Sequence, residues 1–360
     1  MENKKYNMKA IIKYAGAFIA WVVGSGFDTG QELLQFFASY GFASYGVVLI
    51  NLFGFLLIGK ILMTKGFDYR DDKDFNHYKY YCGKKLGAIY SLIVPLTLLA
   101  AMTVLIAASG ATLYEHYGIN STLGSAAMAL AVLIAYLVGF ENLVKVVSKI
   151  GPIIIMFALV VGTISIVRDF SSFGEIEDHL PLLELSQPAP NWIISGILYV
   201  SFTFFVGAPY YCALGKSAQS RSDAKWGAIV GALALCLVIA IINTAILLNA
   251  ETAASLYVPT LYLTQRISPM LSTLFSILLI LGIFSSCSTM MWSFCSKMFK
   301  EGSWKNRLIA TITAIVVFTV GLFFSFRELL GILYPINGYI GLIFIVCVIF
   351  KSLKMNNHPN

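Results

Sequence analysis

Apolar stretches of about 20 residues, each long enough to cross a bilayer as a helix, recur along the whole chain between short polar turns. Ten such spans are predicted: Ala10–Phe37, Gly41–Met63, Leu86–Tyr114, Leu123–Phe140, Val144–Val167, Trp192–Leu214, Ala224–Leu248, Leu261–Phe299, Leu308–Phe326 and Leu329–Phe350. Two polar segments stand out between them. Thr64 to Lys85 contains Arg70-Asp71-Asp72-Lys73-Asp74, and Arg168 to Pro190 carries Glu175, Glu177, Asp178 and Glu184. The pattern predicts an all-α polytopic membrane protein.

Charge in the turns orients the spans. Of the 25 Lys and Arg residues, all but Arg168, Arg266 and Arg327 fall on the side that holds the N-terminus. Cytoplasmic loops carry the excess of positive charge, so both termini are expected in the cytoplasm of a cell whose plasma (inner) membrane the chain crosses. Lys4, Lys5, Lys9 and Lys13 give the start a superficial likeness to a signal peptide. The apolar run continues to Asp28 and Glu32 without a cleavage site, so a retained first span is expected.

Ten spans divide into five and five, and an odd number per half makes any repeat an inverted one. Val23-Gly24-Ser25-Gly26-Phe27 in span one is echoed by Val206-Gly207-Ala208-Pro209-Tyr210 in span six, and Gly151-Pro152 in span five by Tyr334-Pro335 in span ten. Both pairs share an offset of 183 positions. The expected units are 1–170 (first five-helix repeat), 171–190 (acidic external loop), 191–352 (inverted second repeat) and 353–360 (cytoplasmic tail).

Gly24 and Gly26 permit unwinding, and Pro209 removes a backbone donor and clashes with the preceding turn. Broken helices one and six are therefore expected at mid-membrane, against the simpler readings of close helix packing and a proline kink. A broken helix offers free N–H groups to a carboxylate at one new end and free carbonyls to Na⁺ or an ammonium at the other. The candidate substrate residues are Val23, Gly24, Ser25, Gly26, Phe27, Phe205, Gly207, Ala208 and Tyr210. Phe204 and Tyr211 join the aromatics that could shape the pocket, although bundle packing is the ordinary role of each.

Span eight carries Ser285-Ser286-Cys287-Ser288-Thr289. Such hydroxyls usually bond a carbonyl one turn back, but the dense cluster, with carbonyls near Ala20 and Val23, would suit a Na⁺ ion. The candidate ion residues are Ala20, Val23, Ser285, Ser286, Ser288 and Thr289. Asp28 and Glu32 lie one turn apart with Gln31 and Gln35 nearby. They read either as gate residues linked to a proton or as solvated carboxylates near the outer surface. Lys145 and Lys149 read as snorkelling topology markers, or more sharply as an ammonium in place of Na⁺.

Composition agrees. The chain has 360 residues, 58% hydrophobic and 12% charged, with a mean hydropathy of +0.79, outside the range of soluble domains. The net charge of +7 follows the loops and forms no aromatic–basic array, so nucleic acid is not an expected partner. Cys82, Cys212, Cys236, Cys287, Cys295 and Cys347 form no C-x-x-C pair, and four scattered His residues complete no metal set. Apart from Na⁺, no metal or cofactor is expected. Gly54-x₄-Gly59-Lys60 imitates a phosphate loop, but Ile61 stands where Ser or Thr is needed. Gly227-x₃-Gly231 reads as helix packing. No nucleophile–base constellation supports an intramembrane enzyme.

At Gly24-Ser25-Gly26-Phe27-Asp28-Thr29-Gly30-Gln31-Glu32 the sequence resembles the YkvI-like bacterial amino acid permease family of the amino acid–polyamine–organocation superfamily. The resemblance implies the five-plus-five inverted repeat called the LeuT-like fold, with substrate between spans one, three, six and eight. It also implies Na⁺ between spans one, five and eight, on the Ala20 and Val23 carbonyls and hydroxyls among Ser285, Ser286, Ser288 and Thr289. Phe284 departs from the hydroxyl expected there under one alignment, which leaves proton coupling open. The expected function is a secondary transporter importing an amino acid or related amine with Na⁺ or H⁺. A membrane-embedded sensor that binds without translocating is the alternative.

Overall fold

The computed structural model describes residues 7–23, 29–72, 75–138, 150–179, 185–300 and 302–357. Gly24, Ser25, Gly26, Phe27 and Asp28 lie outside the described residues, as do Lys145 and Lys149. Among the described residues nine helices are long and apolar enough to cross a bilayer, and they match the expected spans two to ten. The described residues of span one form two shorter helices, Met8–Val23 and Gln31–Phe36. Gly30 stands before the second with φ 78°, a left-handed conformation that only glycine adopts without strain.

Polar caps set the span starts. The side chains of Asn76, Asn191, Ser220 and Ser303 accept the N–H three residues on, from Lys79, Ile194, Asp223 and Asn306. Span three (His77–Tyr117) begins earlier than hydropathy predicts, because a short helix precedes a kink at Gly83. Span two extends to Asp68 through a π-helical segment, Phe55–Gly59. Span eight is divided into Pro259–Ile267 and Pro269–Met298 by an extended Ser268. The remaining spans are Ser121–Val138 (four), Ile150–Asp169 (five), Arg221–Leu247 (seven), Trp304–Phe323 (nine) and Phe326–Asn357 (ten).

Span six corrects the sequence reading. Trp192–Lys216 is one continuous helix with Pro209 inside it, not a broken pair. Pro209 cannot donate to the carbonyl of Phe205, four residues back. The Tyr78 hydroxyl donates to that carbonyl instead, at 2.7 Å. A main-chain acceptor that would otherwise be orphaned in hydrocarbon thus has a partner, and the helix holds its course.

Packing follows a two-fold rule. Span one packs on seven as six packs on two; span three packs on ten as eight packs on five; three packs on nine as eight packs on four. Exchanging each span with its counterpart five places on maps these pairs onto one another, as an inverted repeat of five spans requires. Spans one, two, six and seven form one group, and three, four, eight and nine another. Spans five and ten touch both groups.

Glycines set the closest crossings in the first group. A Cβ on Gly66 would lie 2.1 Å from the Cys212 carbonyl oxygen, and one on Gly215 2.0 Å from that of Met63. Gly227 and Gly231 in span seven face Tyr14 and Phe18 at 2.5 and 2.9 Å, so this pair is a packing motif. Gly54 and Gly59, the false phosphate loop, face Val200 and Phe18.

Gly215→Ala should lower stability by about 1–3 kcal/mol through overpacking, read as a lower melting temperature in detergent. Gly16→Ala, whose Cβ meets nothing within 4 Å, should be neutral or raise stability by up to about 1 kcal/mol.

Candidate functional site

Glu32 is the residue around which the interrupted first span is built. It lies in the helix that follows Gly30, and its carboxyl is fully buried. The Tyr199 hydroxyl of span six donates to Oε2 at 3.0 Å, while Oε1 has no hydrogen-bond partner. The Tyr334 hydroxyl of span ten also faces this carboxyl. Both tyrosines are held by rings: Tyr199 edge-on to Phe36 and Phe37 at 5.4 and 5.1 Å, Tyr334 stacked on Phe202 at 4.3 Å. A carboxyl in that position is removed from the outer surface, so the solvated reading of Glu32 does not fit. No local sequence signal marks Tyr199 as its partner, and Tyr334 is marked only by the repeated Tyr334-Pro335.

The neighbouring polar side chains close the end of the bundle opposite the N-terminus. Gln35 Nε2 donates to the Arg327 carbonyl at 3.2 Å, and Arg327 Nη2 donates to that of Leu256 at 2.7 Å. With its amide oxygen turned toward them, Gln31 accepts from Gln35 Nε2 and Arg327 Nε at 3.2 and 3.3 Å. Glu115, at the end of span three, accepts the N–H groups of Tyr257 and Val258. Span one, span three, the turn before span eight and the start of span ten therefore meet in one polar latch. Nearby, Arg266 pairs with Asp169 at 3.1 Å, and Asn249 donates to the same carboxylate.

The first half of span one is fastened to span six by Tyr210. Its hydroxyl donates to the Ala17 carbonyl at 2.7 Å, and its ring stacks on Trp21 at 4.9 Å. Gly207 receives the Trp21 indole, whose Nε1 would lie 2.5 Å from an added Cβ. Val23 is the last residue of the first helix and is buried, Ala20 is half-buried, and Ala208 is fully buried.

Phe205 points away from span one. It packs among Tyr90, Tyr78 and Phe344, at 5.1, 6.0 and 6.2 Å. Phe204 and Tyr211 close on Phe18 instead. The aromatics of span six thus divide between both sides of the helix: Phe204, Tyr210 and Tyr211 meet the first helix at Phe18, Ala17 and Trp21, and Phe205 faces spans three and ten.

On span eight the hydroxyls have different fates. Thr289 donates to the Ser285 carbonyl at 2.9 Å within its own helix. Ser285 and Ser286 are half-buried. Ser288 is fully buried, and its Oγ has no hydrogen-bond partner. Span five packs against both span one and span eight, the setting in which a cation ligand from each could meet.

No protein-family model matches the chain. It is similar to two proteins of Bacillus subtilis (strain 168) over most of its length. The uncharacterized membrane protein YkvI is 23% identical over 346 residues, covering 94% of this chain and 95% of that protein. The uncharacterized protein YyaD is 22% identical over 350 residues, covering 96% and 98%. Among solved structures, an Eremococcus coleocola manganese transporter in complex with an aromatic bis-isothiourea substituted compound aligns with a TM-score of 0.59 and 16% identity, over 95% of this chain and 78% of that one. MhsT in complex with L-phenylalanine aligns with a TM-score of 0.54 and 14% identity, over 94% and 89%. These likenesses establish the LeuT-like, all-helical fold.

Tyr199→Phe removes the donor to a buried carboxyl and should cost about 1–3 kcal/mol. Glu32→Gln, which keeps an acceptor for Tyr199, should cost less than Glu32→Ala. Melting curves of the purified variants check both orders.

Proposed function

We propose that the chain is a secondary transporter that moves an amino acid or related small amine across the membrane by alternating access, coupled to Na⁺ or H⁺. The observation that carries this reading is Glu32: a fully buried carboxyl with one free oxygen, placed just after the backbone interruption in span one. Ionisable groups inside a bundle are costly and tend to mark solute or ion pathways. A broken span is where a transporter of this fold exposes main-chain groups to its cargo.

The packing supports alternating access. Spans one, two, six and seven would rock as a bundle against three, four, eight and nine, with five and ten as the links. The latch of Gln31, Gln35 and Arg327 would then be the closed outer gate, with Glu32, and Asp28 by sequence position, on its inner side. Val23, Gly24, Ser25, Gly26 and Phe27, with Gly207, Ala208 and Tyr210, would hold the solute. Phe205 would act from the far side of span six, through Tyr78.

Two cation sites fit within this reading. Glu32 would take up a proton, and Ser288 Oγ with the Ala20 and Val23 carbonyls would take Na⁺, assisted by Ser285, Ser286 and Thr289. An organic solute is preferred over manganese, which the Eremococcus neighbour transports. Among the described residues no group of three or more His, Cys, Asp or Glu is placed to hold a metal, and the MhsT neighbour holds L-phenylalanine. The expected setting is the plasma membrane with cytoplasmic termini.

Uptake of a labelled amino acid into proteoliposomes should rise when an inward Na⁺ or H⁺ gradient is imposed. Proton coupling predicts that Glu32→Gln lowers gradient-driven uptake by about tenfold or more, and that Ser288→Ala does not. Sodium coupling predicts the reverse. Solute binding with no accumulation under either gradient would overturn the transport reading in favour of a sensor.

A further inference from the structure

Span two, span seven and span ten enclose a cavity of about 350 Å³ at the end of the bundle that holds the N-terminus. Four cations line it: Lys60 and Lys65 from span two, and Arg221 and Lys225 from span seven. Asp68 answers two of them, at 3.5 Å from Lys65 and 2.8 Å from Arg221. Lys60 makes no ion pair among the described residues, and Lys225 lies over the Trp226 ring at 5.6 Å. The local balance is therefore strongly positive.

Topology alone does not account for Lys60. It lies eight residues before the end of span two at Asp68, about 12 Å back along the helix axis. The π-helical segment Phe55–Gly59 immediately precedes it. Such a segment inserts an extra residue into a helical turn, which turns the remainder of the helix and brings Lys60 and Lys65 onto the cavity. Thr64 and Ser352 add two hydroxyls to the lining, and the rest is apolar: Leu57, Ile61, Ile349 and Leu353, with Leu57 and Leu353 exposed.

We infer that this cavity binds the headgroup of an anionic phospholipid, with the phosphate among Lys60, Arg221 and Lys225 and an acyl chain along Leu57 and Leu353. A soluble anion would use the cations but not the exposed apolar wall. A zwitterionic lipid would use the wall but leave the positive charge unbalanced. Basic pockets between spans at the cytoplasmic face are suited to anionic headgroups, and the long stems of Lys60 and Lys65 allow their ammonium groups to reach the headgroup level. The inference is independent of transport.

The test uses the full chain purified in a neutral detergent. Phosphatidylglycerol, phosphatidylcholine and inorganic phosphate are titrated separately, with retained lipid read by native mass spectrometry and stability by melting temperature. Phosphatidylglycerol should bind and raise the melting temperature, whereas phosphatidylcholine and phosphate should do neither. Lys60→Gln with Lys225→Gln should weaken phosphatidylglycerol binding by about 30-fold, and Lys225→Gln alone by about fivefold. Lys300→Gln with Lys305→Gln, an equal charge loss elsewhere at the same end, should change it by less than about twofold. Should the double variant fail to fold, the single Lys225→Gln variant decides. Equal binding of phosphatidylcholine, equal loss in the Lys300/Lys305 control, or unchanged binding in the cavity variants would overturn the site. Stabilisation by phosphate alone to the same extent would overturn the lipid assignment.

Discussion

Hydrocarbon supplies no partner for a loose main-chain group, so every irregularity of a span must be answered by another part of the protein. Much of this bundle's detail follows from that constraint. The Phe205 carbonyl that Pro209 cannot serve receives the Tyr78 hydroxyl. The Phe36 carbonyl, where the second half of span one ends, receives the Ser195 hydroxyl. The Ser39 carbonyl receives the Gln187 amide. In each case the donor comes from a different segment, so satisfying the backbone also ties the segments together.

The same constraint explains why span six holds its course where its sequence predicts a break. Gly24-Ser25-Gly26 and Gly207-Ala208-Pro209 sit at one offset in two halves whose packing obeys a common two-fold rule. Span one is nevertheless interrupted at a left-handed Gly30, and span six is a continuous helix. Local sequence specifies only that a helix is weakened at such a place. Whether it breaks depends on what reaches the freed group, and Tyr78 is 127 residues away from Phe205 in the chain. No pattern local to span six could reveal it.

Spans and their order were legible because hydropathy is written into each segment independently. Facing was not. Phe204 and Phe205 are adjacent in sequence, but successive residues of a helix point about 100° apart, and the two rings join different clusters. Reading them together as one pocket wall ignored that rotation. Arg168, Arg266 and Arg327 served only as orientation markers in the sequence. Arg266 binds Asp169, and Arg327 holds the turn before span eight, so at least two of them tie segments together at the end opposite the N-terminus. Glu32 was recognisable as an unusual intramembrane carboxyl, whereas Tyr199 and Tyr334, which define its surroundings, come from spans six and ten.

Placement of these partners links chemistry to motion under the transport reading. Glu32 and Tyr199 belong to the four-span group of one, two, six and seven, but Tyr334 belongs to span ten, which touches both groups. Rocking the first group against span ten would change how closely Tyr334 faces the carboxyl while leaving the Tyr199 bond inside its own group. A proton or ammonium arriving at Oε1 would then interact unequally with the two arrangements. Only such a difference allows a bound species to shift a conformational equilibrium. A carboxyl enclosed wholly within one rigid group would bind just as well in both arrangements and couple to nothing; one that straddles a joint has the geometry that coupling needs.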